Sequence, residues 1–371
     1  MRLNIIIPTR NGAPKLAALL KSLKKIEQDI NVIIVVDDST KKMQNRAIKK
    51  LCRKFGKIVL VDNEKLNLLN FPKKSSILRL GTNKWNLGNA RNIGILYSLA
   101  FSDTNAYTVF LDDDMVVLKG AGKHIKDRIL GRINIIGAPD LSKLEWLQLY
   151  LKYKEPQWKS YNDYIEAVYN KLKHKSIALI SEYTNLSSYQ TKKSIKFPQR
   201  SELSGGAFIC SNNILPLAFF PNWFDEDWLW FYSIRESAGI KIKGTSLVVL
   251  HNSSKKEILD LNSLIFEEDG KIMTNSLKKS PDINKLKDKV IKEIYHRKAL
   301  VSNILSAFNS LEDKNRIDML IVKRLALLHN YLINITPSRY IKEILKFIKL
   351  QKYLKENQSN LSRDIRGIEN G

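Results

Sequence analysis

Thr108-Val109-Phe110-Leu111 is a short β-branched and aromatic run that ends on three consecutive carboxylates, Asp112-Asp113-Asp114. A continuous apolar run of strand length, rather than an alternating one, is the pattern of a strand buried on both faces. The same pattern recurs at Leu3 to Ile7, Val32 to Val36, Ile58 to Val61 and Ile133 to Ile136. Helical spacing fills the intervals at Leu16 to Leu23, Met43 to Phe55 and Ala90 to Ala100. Strand-helix-strand alternation predicts a mostly parallel central sheet flanked by helices, an α/β fold. Residues 140–200 are Lys-rich and helical in spacing, and they carry Trp146, Tyr150, Tyr153, Trp158, Tyr161, Tyr164 and Tyr169. These aromatics suit either a stacking surface for a sugar or base, or an ordinary helical core.

Strand signals return at Ala207 to Cys210 and Ser246 to His251, around a helical stretch from Asp227 to Ala238. Residues 1–254 therefore read as one α/β domain, with halves of about 1–140 and 141–254. Residues 255–371 read as a helical C-terminal region, with helices near 284–309, 312–335 and 338–356. In the last of these Ile341, Ile344, Leu345 and Ile348 share a face, with Lys342, Lys346, Lys349, Lys352 and Lys355 elsewhere. Such a basic amphipathic helix suits an anionic bilayer or docking onto neighbouring helices.

Composition narrows the class further. The 371 residues are 44% hydrophobic and 9% aromatic, which excludes a disordered or collagen-like chain. The formal charge is +25, from 62 basic and 37 acidic side chains. Residues 255–371 hold 23 of the basic and 15 of the acidic residues, so there is no basic tail. Dispersed charge of this kind suits anionic partners, and it also occurs as solubilising surface. Cys52 and Cys210 stand alone, without metal-ligand spacing, and fit a reducing cytoplasm. The apolar N-terminal run stops at Pro8-Thr9-Arg10-Asn11, too short for a signal peptide. Met319 to Ile335 is interrupted by Lys323 and Arg324, so no membrane span is expected.

In an open parallel sheet ligands bind beyond the carboxyl ends of the strands. Three predicted strands end in polar clusters: Pro8-Thr9-Arg10-Asn11-Gly12, Asp37-Asp38-Ser39-Thr40 and Asp112-Asp113-Asp114. If the Asp triplet is extended, Asp112 and Asp114 share a face and repel each other unless a cation lies between them. Oxygen ligands favour Mg²⁺ or Mn²⁺, and two carboxylates leave room for phosphate oxygens and water, as a nucleotide diphosphate would supply. No GxxxxGK[ST] or GxGxxG motif is present. Instead Asn86-Leu87-Gly88-Asn89-Ala90-Arg91-Asn92-Ile93-Gly94 opens a helix, with Arg91 as a cation for an anion or for nearby carboxylates.

In this order the motifs resemble the GT-A fold nucleotide-sugar glycosyltransferases, a Rossmann-like architecture, and particularly the large inverting family 2. The resemblance covers about residues 3–252. It rests on Ile5-Ile6-Ile7-Pro8-Thr9-Arg10-Asn11, Val35-Val36-Asp37-Asp38-Ser39, the stretch from Asn86 to Ile95, and Phe110-Leu111-Asp112-Asp113-Asp114. It implies a donor site of Pro8, Thr9, Arg10, Asp37, Asp38, Asn86, Arg91, Asp112 and Asp113, with UDP as the favoured nucleotide. Asp112 and Asp114 match the DxD element, and a late His251 is similar to a third ligand for Mn²⁺ or Mg²⁺. Asp225-Glu226-Asp227-Trp228 resembles the family's ED segment, which makes Asp227 the general base beside Glu226. Ser204-Gly205-Gly206-Ala207 looks like an acceptor-side loop, so Gly205, Gly206 and Trp228 are the expected acceptor contacts.

The resemblance implies a glycan, a lipid-linked molecule or a small molecule as acceptor. The helical region is then expected to serve in a homodimer or in peripheral contact at the inner face of a membrane. Two departures stand out: the Asp227-to-Gly239 spacing is about one residue long, and the QxxRW-type motif is absent. The late His also occurs in retaining GT-A families, so a retaining enzyme is the alternative within the fold. A nucleotidyltransferase would want a GxGTR-like loop after the first strand, which is lacking. A nucleic-acid-binding protein would explain the charge of +25 but neither acidic cluster, since carboxylates oppose phosphate without a metal.

Overall fold

The computed structural model describes residues 2–68, 80, 86–101, 106–119, 130–136, 143–144, 147–148, 151, 206–238, 242–251, 260–278, 283–312, 314 and 316–370. The seven aromatic residues between Trp146 and Tyr169 lie outside them, as does Gly205. In chain order the elements are β1 (Leu3–Thr9), α1 (Ala13–Leu23), β2 (Ile30–Asp37), α2 (Lys42–Cys52), β3 (Ile58–Val61) and α3 (Asn63–Leu68). There follow α4 (Leu87–Phe101), β4 (Tyr107–Leu111), β5 (Met115–Lys119), β6 (Leu130–Ile136), β7 (Ala207–Ser211), α5 (Glu226–Ala238) and β8 (Ile242–His251). The chain then continues through α6 (Leu261–Leu277), α7 (Leu286–Asn309), α8 (Arg316–Asn334) and α9 (Pro337–Asn370).

The eight strands form one sheet in the order β3-β2-β1-β4-β7-β6-β8-β5. Its nucleus is parallel: β1 pairs with β2 and β4, and β2 with β3. Beyond β4 the sheet turns antiparallel, where β7 pairs with β4, β6 with β7 and β5 with β8. All seven residues of β1 are buried, and the run is apolar except for Thr9 at its end and Asn4, whose amide donates to the Ser98 hydroxyl at 2.9 Å. Alternate residues serve opposite faces: Ile6 joins a core with α4 and the aromatic residues Phe110, Phe208 and Trp230, whereas Leu3, Ile5 and Ile7 join one with α1 and α2. Each fully buried Leu or Ile contributes roughly 1.5–3 kcal/mol. Register brings Thr9 opposite Asp37, so the polar ends of β1 and β2 meet, with the end of β4 beside them.

The chain divides into two compact units. One comprises Met1–Ile135, Ser201–Asn252 and Leu345–Gly371; the other comprises Ile136–Arg200 and Ser253–Ile344. The last stretch of α9 therefore belongs to the α/β unit. Its Leu350, Leu354, Leu361 and Ile365 share a core with Val61, Leu66, Tyr97 and Ala100, and Lys65 pairs with Glu369. The α9 helix also runs well past residue 356, where its sequence pattern had suggested an end.

In the helical unit α6 lies inside the region read as helical, but the apolar periodicity did not predict its bounds. It starts at an Asp260 cap whose carboxylate accepts the Ser263 N–H at 2.9 Å. Its Glu267, Glu268 and Asp269 are all buried. Glu268 receives a two-pronged hydrogen bond from Arg297, with the Nη2 contact at 2.6 Å. Asp269 accepts from Tyr340 at 2.7 Å and from Tyr331 at 2.8 Å. Paired charges of this kind tolerate burial that isolated ones do not. On α9, Ile344 is buried while Lys342, Lys346, Lys349, Lys352 and Lys355 are exposed. No described helix is long and apolar enough to cross a membrane.

Candidate active site

The floor of the site is built where β1, β2 and β4 end. Thr9 and Asp38 are fully buried; the Thr9 hydroxyl donates to Asp113 at 2.6 Å, and Arg10 pairs with Asp38 at 2.9 Å. Pro8 lies inside β1, opposite Val36. Asn11 takes a left-handed backbone, φ 55°, and its N–H donates to Ser39 at 2.8 Å. Asn is among the few non-glycine residues that accept that conformation readily. Asp37 accepts from the Ser39 N–H at 2.9 Å and from Asn45 at 2.8 Å. Burial pushes its carboxyl above the usual range against those bonds.

The Asp triplet is a turn and not an extended strand end. Asp112 N–H donates to Gly206 O at 2.9 Å, and Met115 N–H returns to Asp112 O at 3.1 Å. The three carboxylates consequently face three sets of partners. Asp112 takes the Arg91 guanidinium at 3.0 Å, Asp113 takes Thr9, and Asp114 lies 3.5 Å from His251 and 3.6 Å from Lys15. Burial raises Asp112 against the pull of Arg91, and it pushes Asp113 up to about 6. Burial also works on Asp114, but His251 and Lys15 outweigh it and hold that carboxyl low. Gly206 packs closely here: a Cβ would lie 2.6 Å from the Met115 methyl, the movable end of that side chain.

Among the described residues no group of three His, Cys, Asp or Glu side chains stands ready as a metal cage. Of the expected ligands, Asp114 and His251 converge, whereas Asp112 is turned to Arg91 by one oxygen. Two carboxylates and an imidazole remain a donor set suited to Mn²⁺, with phosphate oxygens and water to fill the shell. The mutual repulsion of Asp112 and Asp114, part of what raises Asp112, is the electrostatic demand a cation would meet.

The second acidic cluster is delivered by the segment 218–225 that precedes α5. Asp225 has φ 62° and turns the chain into the helix. Glu226 then accepts from Arg91 at 2.6 Å, and burial pushes its carboxyl up against that cation. Arg91 is only 2% exposed and thus ties Glu226 to Asp112 inside the protein. Asp227 is 9% exposed and accepts the Trp228 N–H at 2.9 Å, with Trp228 half-buried beside it.

The motif that opens α4 holds this segment. Asn92 clamps Phe220 from both sides, accepting its N–H at 2.7 Å and donating to its carbonyl at 2.8 Å. Asn86 accepts from Asn222 at 2.9 Å, and Gly88 backs onto the Pro221 carbonyl, which a Cβ would approach to 1.8 Å. A Cβ on Gly94 would meet Ile6 at 2.3 Å, so this glycine seats α4 on β1. The roles of Asn92 and Lys15 were not anticipated. The one signal was the cluster of poor helix formers, Gly88, Asn89, Asn92 and Gly94, inside a helix.

This fold, a parallel nucleus flanked by helices with acidic strand ends facing a second acidic helix start, is GT-A-like. Residues 4–180 match the family model described as Glycosyl transferase family 2. Among curated proteins there is no sequence match. Solved structures similar to the chain include the mannosyltransferase PcManGT from Pyrobaculum calidifontis in complex with GDP-Man and Mn²⁺. It shows 11% identity over 93% of this chain and 86% of that one, at a TM-score of 0.43. Glucosyl-3-phosphoglycerate synthase from Mycobacterium tuberculosis, in complex with Mn²⁺, UDP and phosphoglyceric acid, shows 15% identity over 76% and 80%, at 0.41. S. aureus TarS 1-349 in complex with UDP-GlcNAc shows 13% over 94% and 92%, at 0.39. The chain spans 55% of a longer TarS structure. At such scores the likeness transfers no residue roles.

Proposed function

We propose that the protein moves a glycosyl group from a nucleotide diphosphate sugar to an acceptor hydroxyl with inversion, and that Asp227 is the base. UDP is the expected nucleotide, and the acceptor is a glycan, a lipid-linked molecule or a small molecule. The observation that carries the reading is the buried Arg91, which joins Asp112 of the donor floor to Glu226 next to Asp227. The two acidic clusters thereby belong to one site.

The donor's base and ribose fit the ends of β1 and β2, where Arg10, Asp37 and Asp38 are held by their own hydrogen bonds. Asp112, Asp114 and His251 would hold Mn²⁺ or Mg²⁺, which when bound offsets the charge that develops on the leaving diphosphate. Asp227 takes the proton of the acceptor hydroxyl while the new bond to the anomeric carbon forms and the bond to the phosphate oxygen breaks. Glu226, engaged by Arg91, orients the start of α5 and does not itself accept the proton. Gly206, beside Asp112, and Trp228, which follows Asp227 in the chain, are the proposed acceptor contacts.

Thermal stability against UDP-, GDP-, dTDP- and CMP-sugars, each with and without Mn²⁺, tests the reading, because a ligand bound only by the native state raises the midpoint. One nucleotide should stabilise the protein in the presence of metal, and Asp114→Ala should lose that response. Asp227→Asn should keep the response yet lose transfer. No shift with any nucleotide sugar, together with salt-dependent stabilisation by DNA, would overturn the assignment. A product of retained anomeric configuration would remove Asp227 as the base.

A further inference from the structure

We infer that the C-terminal stretch of α9, residues 345–370, is a positioning element of the active site, acting through Phe347 and Gln351 on the segment that carries the acid pair. The inference rests on the reading of Asp227 as base. Three observations on the α/β unit lead to it.

First, the segment 218–225 has little secondary structure of its own between Leu217 and Glu226, so its course is set by what grips it. Second, α4 grips one part of it through Asn86, Gly88 and Asn92, and α9 grips another. Gln351 Nε2 donates to the Phe219 carbonyl at 3.2 Å, and the Phe347 ring stands edge-on to the Trp223 ring at 5.1 Å and 72°. Trp223 and Phe347 are both buried, and Trp223 is two residues before the left-handed Asp225 that turns the chain into Glu226 and Asp227. Third, this stretch of α9 is anchored rather than lying loosely on the surface. Leu350, Leu354, Leu361 and Ile365 are core residues, and Glu369 pairs with Lys65.

The grip at Trp223 is thus a fixed point from which the acid pair is aimed. A shift of the order of 1 Å at a catalytic group can cost up to about a hundredfold in rate. The donor contacts sit on a different set of elements, the ends of β1, β2 and β4. Loosening α9 should therefore lower kcat more than it weakens donor binding.

The experiment uses the full chain and the panel nucleotide sugar that gives the largest thermal shift, following release of its nucleoside diphosphate to water. Phe347→Ala, Gln351→Ala and the ring-retaining Phe347→Tyr are compared with Asp227→Asn, each well below its own melting temperature. Phe347→Ala should lower kcat roughly tenfold or more with the donor KM within twofold of wild type. Phe347→Tyr should restore most of the rate, and Gln351→Ala should show a smaller loss of the same kind. Wild-type kcat in both alanine variants, alongside an inactive Asp227→Asn, would overturn the positioning role alone. A rise in donor KM equal to the fall in kcat would do the same. Full activity in Asp227→Asn would instead overturn the base assignment.

Discussion

Removing the guanidinium at position 91 should expose how strongly the two acidic clusters depend on one buried cation. Arg91→Met keeps much of the stem and deletes the charge, leaving Asp112 and Glu226 facing each other across an apolar group. Arg91 is 2% exposed and contacts the two carboxylates at 3.0 and 2.6 Å, so solvent screens neither pair well. Deleting one partner of a buried pair typically costs about 3–5 kcal/mol, because the remaining charge stays buried. For a domain of this size, with roughly 2–4 °C of melting temperature per kcal/mol, the drop is on the order of 6–20 °C. Its pH dependence has a definite sign. Burial already raises both carboxyls, and losing the cation raises them further, so the folded variant holds protons that the unfolded chain releases. Stability of the variant should then fall as pH rises above the unfolded carboxylate range, and its deficit should be smaller at pH 5 than at pH 8. Urea unfolding at both pH values measures this, and adding Glu226→Gln to Arg91→Met should recover part of the loss. A variant that melts within about 2 °C of wild type at both pH values would refute the buried triad.

Three further outcomes follow from local geometry. Gly88→Ala puts a Cβ 1.8 Å from the Pro221 carbonyl, so it should cost about 1–3 kcal/mol in thermal unfolding and slow turnover by displacing the acid segment. Asp260→Ala removes the cap of α6 and should cost about 1 kcal/mol in urea titration, with activity little changed. Asp62 is pushed up by burial but brought below the usual range by the Lys49 ammonium, 2.9 Å away, and by the Lys65 N–H. A lowered carboxyl stabilises the fold above its unfolded pKa and loses that effect as pH falls through the folded one. Lys49→Met should accordingly cost roughly 0.5–1 kcal/mol at pH 7, and the gap to wild type should close as pH falls below about 4.

The parallel nucleus was legible because burial on both faces leaves a plain mark. Leu3 to Ile7 and Thr108 to Leu111 are apolar at every or nearly every position, and both sit inside the sheet. Polar strand ends were equally legible, since Thr9, Asp37 and the Asp triplet follow immediately on those runs and register carries them together. The direction of each carboxylate was not. An extended triplet would place Asp112 beside Asp114, but the turn closed by Gly206 and Met115 sends one to Arg91 and the other to His251. That turn depends on backbone bonds to β7, nearly a hundred residues away, which no local spacing encodes. The bounds of α6, inside the region read as helical, were not legible for a related reason. Glu267-Glu268-Asp269 is a run of three charges, and partners distant in sequence, among them Arg297, Tyr331 and Tyr340 on three later helices, make its burial tolerable.

The α9 helix shows where periodicity stops being informative. Ile344, Phe347, Leu350, Leu354, Leu361 and Ile365 recur at helical spacing, which requires a buried stripe but does not name its partner. A bilayer, a second subunit and a neighbouring helix all satisfy the same stripe. The structure joins Leu350, Leu354, Leu361 and Ile365 to the core that contains Val61, Leu66 and Tyr97. That contact is cheap in loop entropy once the α/β unit exists, since the closure cost grows only with the logarithm of the intervening length. The same helix that looks like an appendage in sequence can therefore end as part of the α/β unit. Gln351 and Phe347 reach the acid segment only because the stripe below them is fixed there.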